Sequence, residues 1–72
     1  MVEAVEAYME AQPALKAGRA LDSYAIERQV AGPGGAVVAS VAASAGTSYY
    51  DYVAYMKRSV DGAWSVQKIE ME

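Results

Sequence analysis

The chain has 72 residues and a formal net charge of −3 at pH 7, with no cysteine and no histidine. Disulfide bonds and zinc sites made of these two residue types are therefore excluded, and enzymes' usual general base and thiolate nucleophile are missing. The length suits one domain, residues 1–72, for which we expect no catalysis, no metal and no cofactor. Because the chain is acidic, we also expect no direct binding to nucleic acid.

The beginning of the chain does not resemble a targeting segment. Acidic residues follow Met1 closely, and no apolar run approaches the roughly 18 residues of a membrane helix. We therefore expect a cytoplasmic protein without a membrane segment.

Alanine accounts for much of the apolar content, since it supplies 15 of the 72 residues. Buried alanine contributes little transfer free energy, so the six tyrosines and the single tryptophan must provide much of the core. Charged residues make up only 21% of the chain, a small share for the surface of a domain of this size. We therefore expect either a homodimer or a constant protein partner.

The first predicted element is an amphipathic helix over residues 2–11. Three apolar residues and three glutamates follow helical spacing and form two adjacent stripes. Pro13 lacks an amide donor and clashes with the preceding turn, so we expect the helix to bend or break at 12–13. The acidic stripe is one candidate partner-binding surface; it comprises Glu3, Glu6 and Glu10.

A second helical segment is predicted from residue 13 to about residue 30. Its apolar residues form no clean stripe, and Gly18 costs up to about 1 kcal/mol in a helix interior. Alternatively, Asp22 or Ser23 begins a fresh helix as its cap. The run "AGPGG" at 31–35 then ends the helical region and leads into a strand.

Three strands follow, the first over residues 36–45. The stretch "TSYYDYVAYMKRSVDGAWSV" at 47–66 supplies two more strands, joined at "VDGA". Asp-Gly between two β-rich runs is a strong hairpin signal. The predicted fold is α+β: an N-terminal helix, kinked or broken near Pro13, packed on a three-stranded antiparallel meander in the order α(α)βββ.

The length of the last turn determines which tyrosines are buried. A two-residue loop, 61–62, pairs Val60 with Ala63, whereas a three-residue loop, 60–62, pairs Ser59 with Ala63. The longer loop, with Gly62 as its left-handed residue, gathers a coherent apolar face and sets an arginine opposite a tryptophan. We therefore prefer it, and we expect these core residues: Tyr50, Tyr52, Ala54, Met56, Trp64 and Val66.

The opposite face of this hairpin is too apolar for a fully solvated surface. Tyrosine is favoured where one end of a side chain is dry and the other is hydrogen-bonded, as at an interface. By simple alternation, the candidate partner-binding residues of this face are Tyr49, Val53, Tyr55, Lys57, Ile69 and Met71.

Two alternatives compete with an interface on this face. In one, the first helix wraps around the sheet and covers it. In the other, a bulge near 67–68 turns Ile69 and Met71 inward.

The ending "VDGAWSV" with a tyrosine-rich strand before it resembles the C-terminal hairpin of cystatin-like and nuclear-transport-factor-like folds. The general outline is also similar to the PepSY domain, in which a helix leads into a small antiparallel meander. These resemblances carry no functional residue over to this chain. The cystatin-like frame would imply a small-ligand-binding domain, whose cavity would be lined by Tyr24, Tyr52 and Trp64.

The sequence favours a non-enzymatic protein-interaction module that self-associates. It binds through the tyrosine-bearing sheet face or through the acidic helix. One version is an inhibitor of the phage anti-CRISPR type, which presents its glutamates to a basic groove. The ligand-binding domain is the first alternative, and an engineered domain without a biological role is the second. Pro13 and Gly18 within a helical region argue against design.

Overall fold

The computed structural model describes residues 1–16 and 18–72, and these form a helical layer on an antiparallel sheet. The fold is α+β as predicted, but the sheet has four strands where three were expected. The helices are α1 (Val2–Glu10) and α2 (Pro13–Lys16). The strands are β1 (Ser23–Ala31), β2 (Ala36–Ala45), β3 (Ser48–Arg58) and β4 (Trp64–Met71), and a short 3₁₀ turn, Pro33–Gly35, precedes β2.

The additional strand is β1, and it corrects the predicted helix over 13–30. Within that segment only Pro13–Lys16 is helical, and Ala17 lies outside the described residues. Gly18 has a positive φ of 77°, which takes the backbone out of helical geometry. Residues 23–31 then pair with β2 along their whole length.

Asp22 anchors the start of β1 and caps no helix. Its backbone N–H donates to the carbonyl of Ser44 at 2.7 Å. Its carboxylate accepts a 2.8 Å hydrogen bond from the backbone N–H of Gly46. One residue thus ties the first strand to the turn between β2 and β3, so the alternative of a second helix beginning at Asp22 or Ser23 is wrong.

The glycine-rich run at 31–35 joins two strands instead of ending a helix. Gly34 and Gly35 both have positive φ, and the N–H of Gly32 donates to the carbonyl of Ala36 at 2.7 Å. The run therefore closes the β1–β2 hairpin, and the sheet is a simple meander in the order β1-β2-β3-β4.

The last hairpin has the predicted three-residue register. The N–H of Ser59 donates to the carbonyl of Ala63, and Arg58 lies opposite Trp64. Gly62 adopts the expected left-handed conformation, with φ of 88°. The Arg58 guanidinium carbon lies 5.6 Å from the Trp64 ring centroid, within range of a cation–π contact.

The core lies between α1 and one side of the sheet, the inner face. Val5 and Met9 of α1 are buried against it, and the hydroxyl of Tyr52 donates to the carbonyl of Leu15. All six predicted core residues of the hairpin lie on the inner face. The side chains of this face include Tyr24, Ile26, Val37, Ala39, Val41, Ala43, Tyr50, Tyr52, Ala54, Met56, Trp64, Val66 and Ile69.

Within residues 1–16 and 18–72, no helix combines the length and the apolar character needed to span a bilayer.

Candidate interaction surface

The side of the sheet remote from α1, the outer face, is the main candidate functional surface. Because α1 packs on the inner face through Val5 and Met9, the alternative in which it covers the outer face is wrong. The strand pairings place these side chains on the outer face: Ser23, Ala25, Arg28, Val30, Ala36, Val38, Ser40, Ala42, Ser44, Tyr49, Asp51, Val53, Tyr55, Lys57, Ser65, Lys68 and Glu70.

One row of side chains crosses all four strands of this face, and it is apolar on β1, β2 and β3. Val30 lies beside Val38, which lies beside Tyr55, and the row ends at Lys68 on β4. Val30 and Val38 are 60% and 40% exposed, and Tyr49 at the far end of β3 is 75% exposed. The Lys68 ammonium lies 4.8 Å from the Tyr55 ring centroid, so it covers one end of the row.

The two central strands, β2 and β3, differ strongly in the size of the side chains that they place on the outer face. On β3 the outward residues are large: Tyr49, Asp51, Val53, Tyr55 and Lys57. On β2 they are small apart from one valine: Ala36, Val38, Ser40, Ala42 and Ser44. The outer face therefore carries a ridge along β3 beside a trough along β2.

The other half of the face is polar and concave. An open groove of about 330 Å³ is lined by Glu27, Arg28, Ser40, Asp51 and Glu72. Its charges are three carboxylates and one guanidinium. Among the described residues no cluster of three or more acidic side chains has a geometry that would hold a metal ion.

The prediction that Ile69 and Met71 belong to the outer face is wrong. Gln67 forms a bulge between Val66, opposite Met56, and Lys68, opposite Tyr55. The alternation along β4 therefore switches, so that Ile69 and Met71 share the register of the inner face. Ile69 is 5% exposed and belongs to the core, while Met71 is 49% exposed at the end of the edge strand.

The remaining sheet residues of the prediction, Tyr49, Val53, Tyr55 and Lys57, do lie together on the outer face. Five further residues of this surface were not predicted from the sequence: Arg28, Val30, Val38, Lys68 and Glu70. Arg28 and Val30 were missed because β1 was taken for a helix, and Lys68 and Glu70 because of the bulge. Val38 was missed because the predicted surface was built from the β3–β4 hairpin alone.

The acidic stripe is exposed, but it lies in the helical layer, away from the outer face. Glu3, Glu6 and Glu10 are all solvent-exposed on α1. Glu10 accepts a 2.9 Å hydrogen bond from the ammonium of Lys16 in α2, and this contact raises the pKa of Lys16 above its ordinary value. The two candidate surfaces are therefore separate, and one of the three glutamates already has a cationic partner.

Both edges of the sheet are interrupted by bulges, at Glu27 in β1 and at Gln67 in β4. A bulge twists an edge strand and disrupts its row of free N–H and C=O groups, which hinders the addition of another strand. The outer face is therefore better suited to contact a partner than either edge is.

Comparisons with protein-family models, with curated proteins and with solved structures find no match to this chain.

Proposed function

We propose that this chain is a non-enzymatic protein-interaction module that binds another protein surface through its outer face. The observation that carries the proposal is the exposed apolar row Val30–Val38–Tyr55 on an uncovered sheet. Monomeric soluble proteins rarely leave a contiguous apolar surface open unless it serves an interaction.

The composition of the face supports a protein partner over a small molecule. Its tyrosines and valines lie on a broad surface, and four of its five charged residues, all but Asp51, lie on the edge strands or near the end of β3, as at the rim of a protein interface. A small ligand needs a concave pocket that encloses most of its surface. Tyr52, which would line such a pocket in the ligand-binding alternative, is instead packed to 1% exposure beneath the helices.

The acidic helix is the competing surface for a protein partner. Binding of a basic groove by Glu3, Glu6 and Glu10 stays a prediction, and the pairing of Glu10 with Lys16 weakens it. The two surfaces lie on opposite sides of the molecule, so an experiment can address them separately.

Site-specific photo-crosslinking tests the proposal. Tyr55 or, as the control, Glu6 on α1 is replaced by p-benzoylphenylalanine, and each chain is irradiated in an extract of the producing cells. We expect a covalent protein adduct from position 55 and none from position 6, because only the outer face is held against a protein. An absence of any adduct from position 55 would contradict the proposal, and an adduct from position 6 alone would favour the acidic helix.

A further inference from the structure

We propose that the occupant of the outer face is a second copy of this chain, stacked face to face about a two-fold axis. This inference rests on the proposed function and names the partner. The axis runs parallel to the strands and lies between β2 and β3, so that β2 of one copy faces β3 of the other and β1 faces β4. The dimer then has four layers: helix, sheet, sheet, helix.

The shape of the face fits this axis. The ridge of large side chains on β3 and the trough of small ones on β2 are adjacent central strands. The two-fold axis places the ridge of each copy over the trough of the other. In this arrangement Val53 lies over the small Ser40 of the partner, and Tyr55 meets the partner's Val38, the one large residue of the trough, in an apolar contact.

The charges fit the same axis. Arg28 on β1 and Glu70 on β4 belong to one row across the sheet, since Arg28 lies beside Ser40, Ser40 beside Val53 and Val53 beside Glu70. Within a chain they stand at opposite edges, about 14 Å apart at three strand spacings. The axis brings β1 over β4 and sets Arg28 opposite the partner's Glu70, twice per dimer. Glu70 also pairs with Lys68 of its own chain at 2.8 Å, so the partner's Arg28 would join this pair as a second cation.

The area is sufficient for a specific dimer. The molecule measures 36 × 21 × 16 Å, and its two longer dimensions correspond to strand length and sheet width. A standard interface buries about 800 Å² per partner, and a weak one somewhat less. A sheet surface of this outline is large enough, whereas α1 alone is too small.

Complementary charge reversal tests the inference. In a dimer of R28E chains, each new glutamate would face the partner's Glu70. In a dimer of E70R chains, each new arginine would face the partner's Arg28. We expect either variant to raise the dimer dissociation constant about tenfold in sedimentation equilibrium, because the symmetry repeats every repulsion twice. E3R, which makes the same charge change on α1 as E70R makes on the sheet, should leave the constant unchanged.

Mixing the two variants is the decisive step. In a heterodimer of one R28E chain and one E70R chain, both cross-interface pairs are again opposite in charge. Native mass spectrometry with one chain isotopically labelled should show the heterodimer in excess over both homodimers, with a dissociation constant within about threefold of the unmodified dimer. Circular dichroism melts of each variant confirm that the fold is kept.

Several outcomes would overturn the inference, and they are distinct from failure of the proposed function. An unmodified chain that is monomeric at every concentration overturns it. A dimer that is indifferent to R28E and E70R overturns it as well, and so does a mixture without preference for the heterodimer. In each of these cases a crosslink from position 55 to a different protein would leave the proposed function standing.

Discussion

The hydroxyl of Tyr52 donates a hydrogen bond to the backbone carbonyl of Leu15, with 3.0 Å between the two oxygens. This bond connects the centre of β3 to α2, and it satisfies a polar group on the largest fully buried side chain. Tyr24 on β1 differs, because its buried hydroxyl has no hydrogen-bond partner among the described residues. Burial also raises the pKa of Tyr24 above its ordinary value.

Tyr52→Phe is therefore expected to lower the free energy of unfolding by about 1 kcal/mol, since it leaves the Leu15 carbonyl without its donor. Tyr24→Phe makes the same chemical change and is expected to be neutral or stabilising, because it removes a hydroxyl that makes no bond. Urea unfolding followed by circular dichroism measures both variants. Equal destabilisation by the two would show that the Tyr52–Leu15 bond contributes nothing.

Alanine substitutions of Gly35 and Gly34 form a second matched pair of variants. Both have positive φ, 81° and 67°, so alanine at either position is expected to cost about 1–2 kcal/mol of backbone strain. A Cβ at Gly35 would also stand 2.6 Å from the carbonyl oxygen of Arg58, whereas one at Gly34 meets no atom of the described residues within 4 Å.

Gly35→Ala should therefore lower the free energy of unfolding by at least about 1 kcal/mol more than Gly34→Ala does, because the end of β3 must move. Thermal and urea melts of the two variants give the difference. Equal free energies of unfolding for the two variants would mean that the loop shifts freely and that its packing against Arg58 contributes no stability.

Most of the hairpin between β3 and β4 was predictable from the sequence. The Asp-Gly turn and the alternation of β3 together determine the register, because a two-residue loop would place Trp64 on the opposite face from Tyr50 and Tyr52. The strand 36–45 and the first helix were also predicted nearly at their observed limits. These segments carry a strong local pattern that agrees with the tertiary fold.

The strand β1 was not predictable in the same way. Its residues include good helix formers, and strand formation there depends on pairing with β2, which local propensity does not register. The bulge at Glu27 also breaks the alternation that begins with Tyr24 and Ile26. The available signal was the glycine-rich run after it, since a loop of hairpin length implies a strand on both sides.

Only half of the candidate surface could be derived for the same reason. The β3 residues follow from strand parity, whereas Arg28 and Val30 enter the surface only once β1 is a strand. The bulge at Gln67 moves Ile69 into the core, and a bulge is a tertiary feature that single-strand alternation signals only weakly.

Asp61 gives the β3–β4 turn a defined dependence on pH. Its carboxylate accepts hydrogen bonds from the Ser59 hydroxyl and, at 3.1 Å, from the Ala63 N–H. These bonds lower the pKa of Asp61 below its ordinary value of 3.8, the Ser59 bond contributing most. A lowered pKa means that the stabilisation is fully present above pH 3.8 and is lost as the pH falls through the pKa of the folded state.

We therefore expect the melting temperature of the unmodified chain to exceed that of Asp61→Ala near neutral pH, and this difference to shrink as the pH falls below 3.8. Glu3→Gln on α1 controls for the loss of a surface negative charge. A difference that is constant across this pH range would show that the ionised carboxylate does not hold the turn.

Alanine substitutions of Met9 and Met71 compare how much the helix and the sheet edge contribute to the free energy of unfolding. Met9 is buried between α1 and the inner face, whereas Met71 is half exposed at the end of β4. Met9→Ala is expected to cost about 2–4 kcal/mol, because it removes transfer free energy and leaves a cavity under the helix. A chain of this length has a total stability of only about 4–10 kcal/mol, so the loss would be a substantial share of it. Met71→Ala should cost less than about 1 kcal/mol in the same urea titration. If the two variants proved equally stable, α1 would not be packed on the sheet in solution, and the inner face would need a different cover.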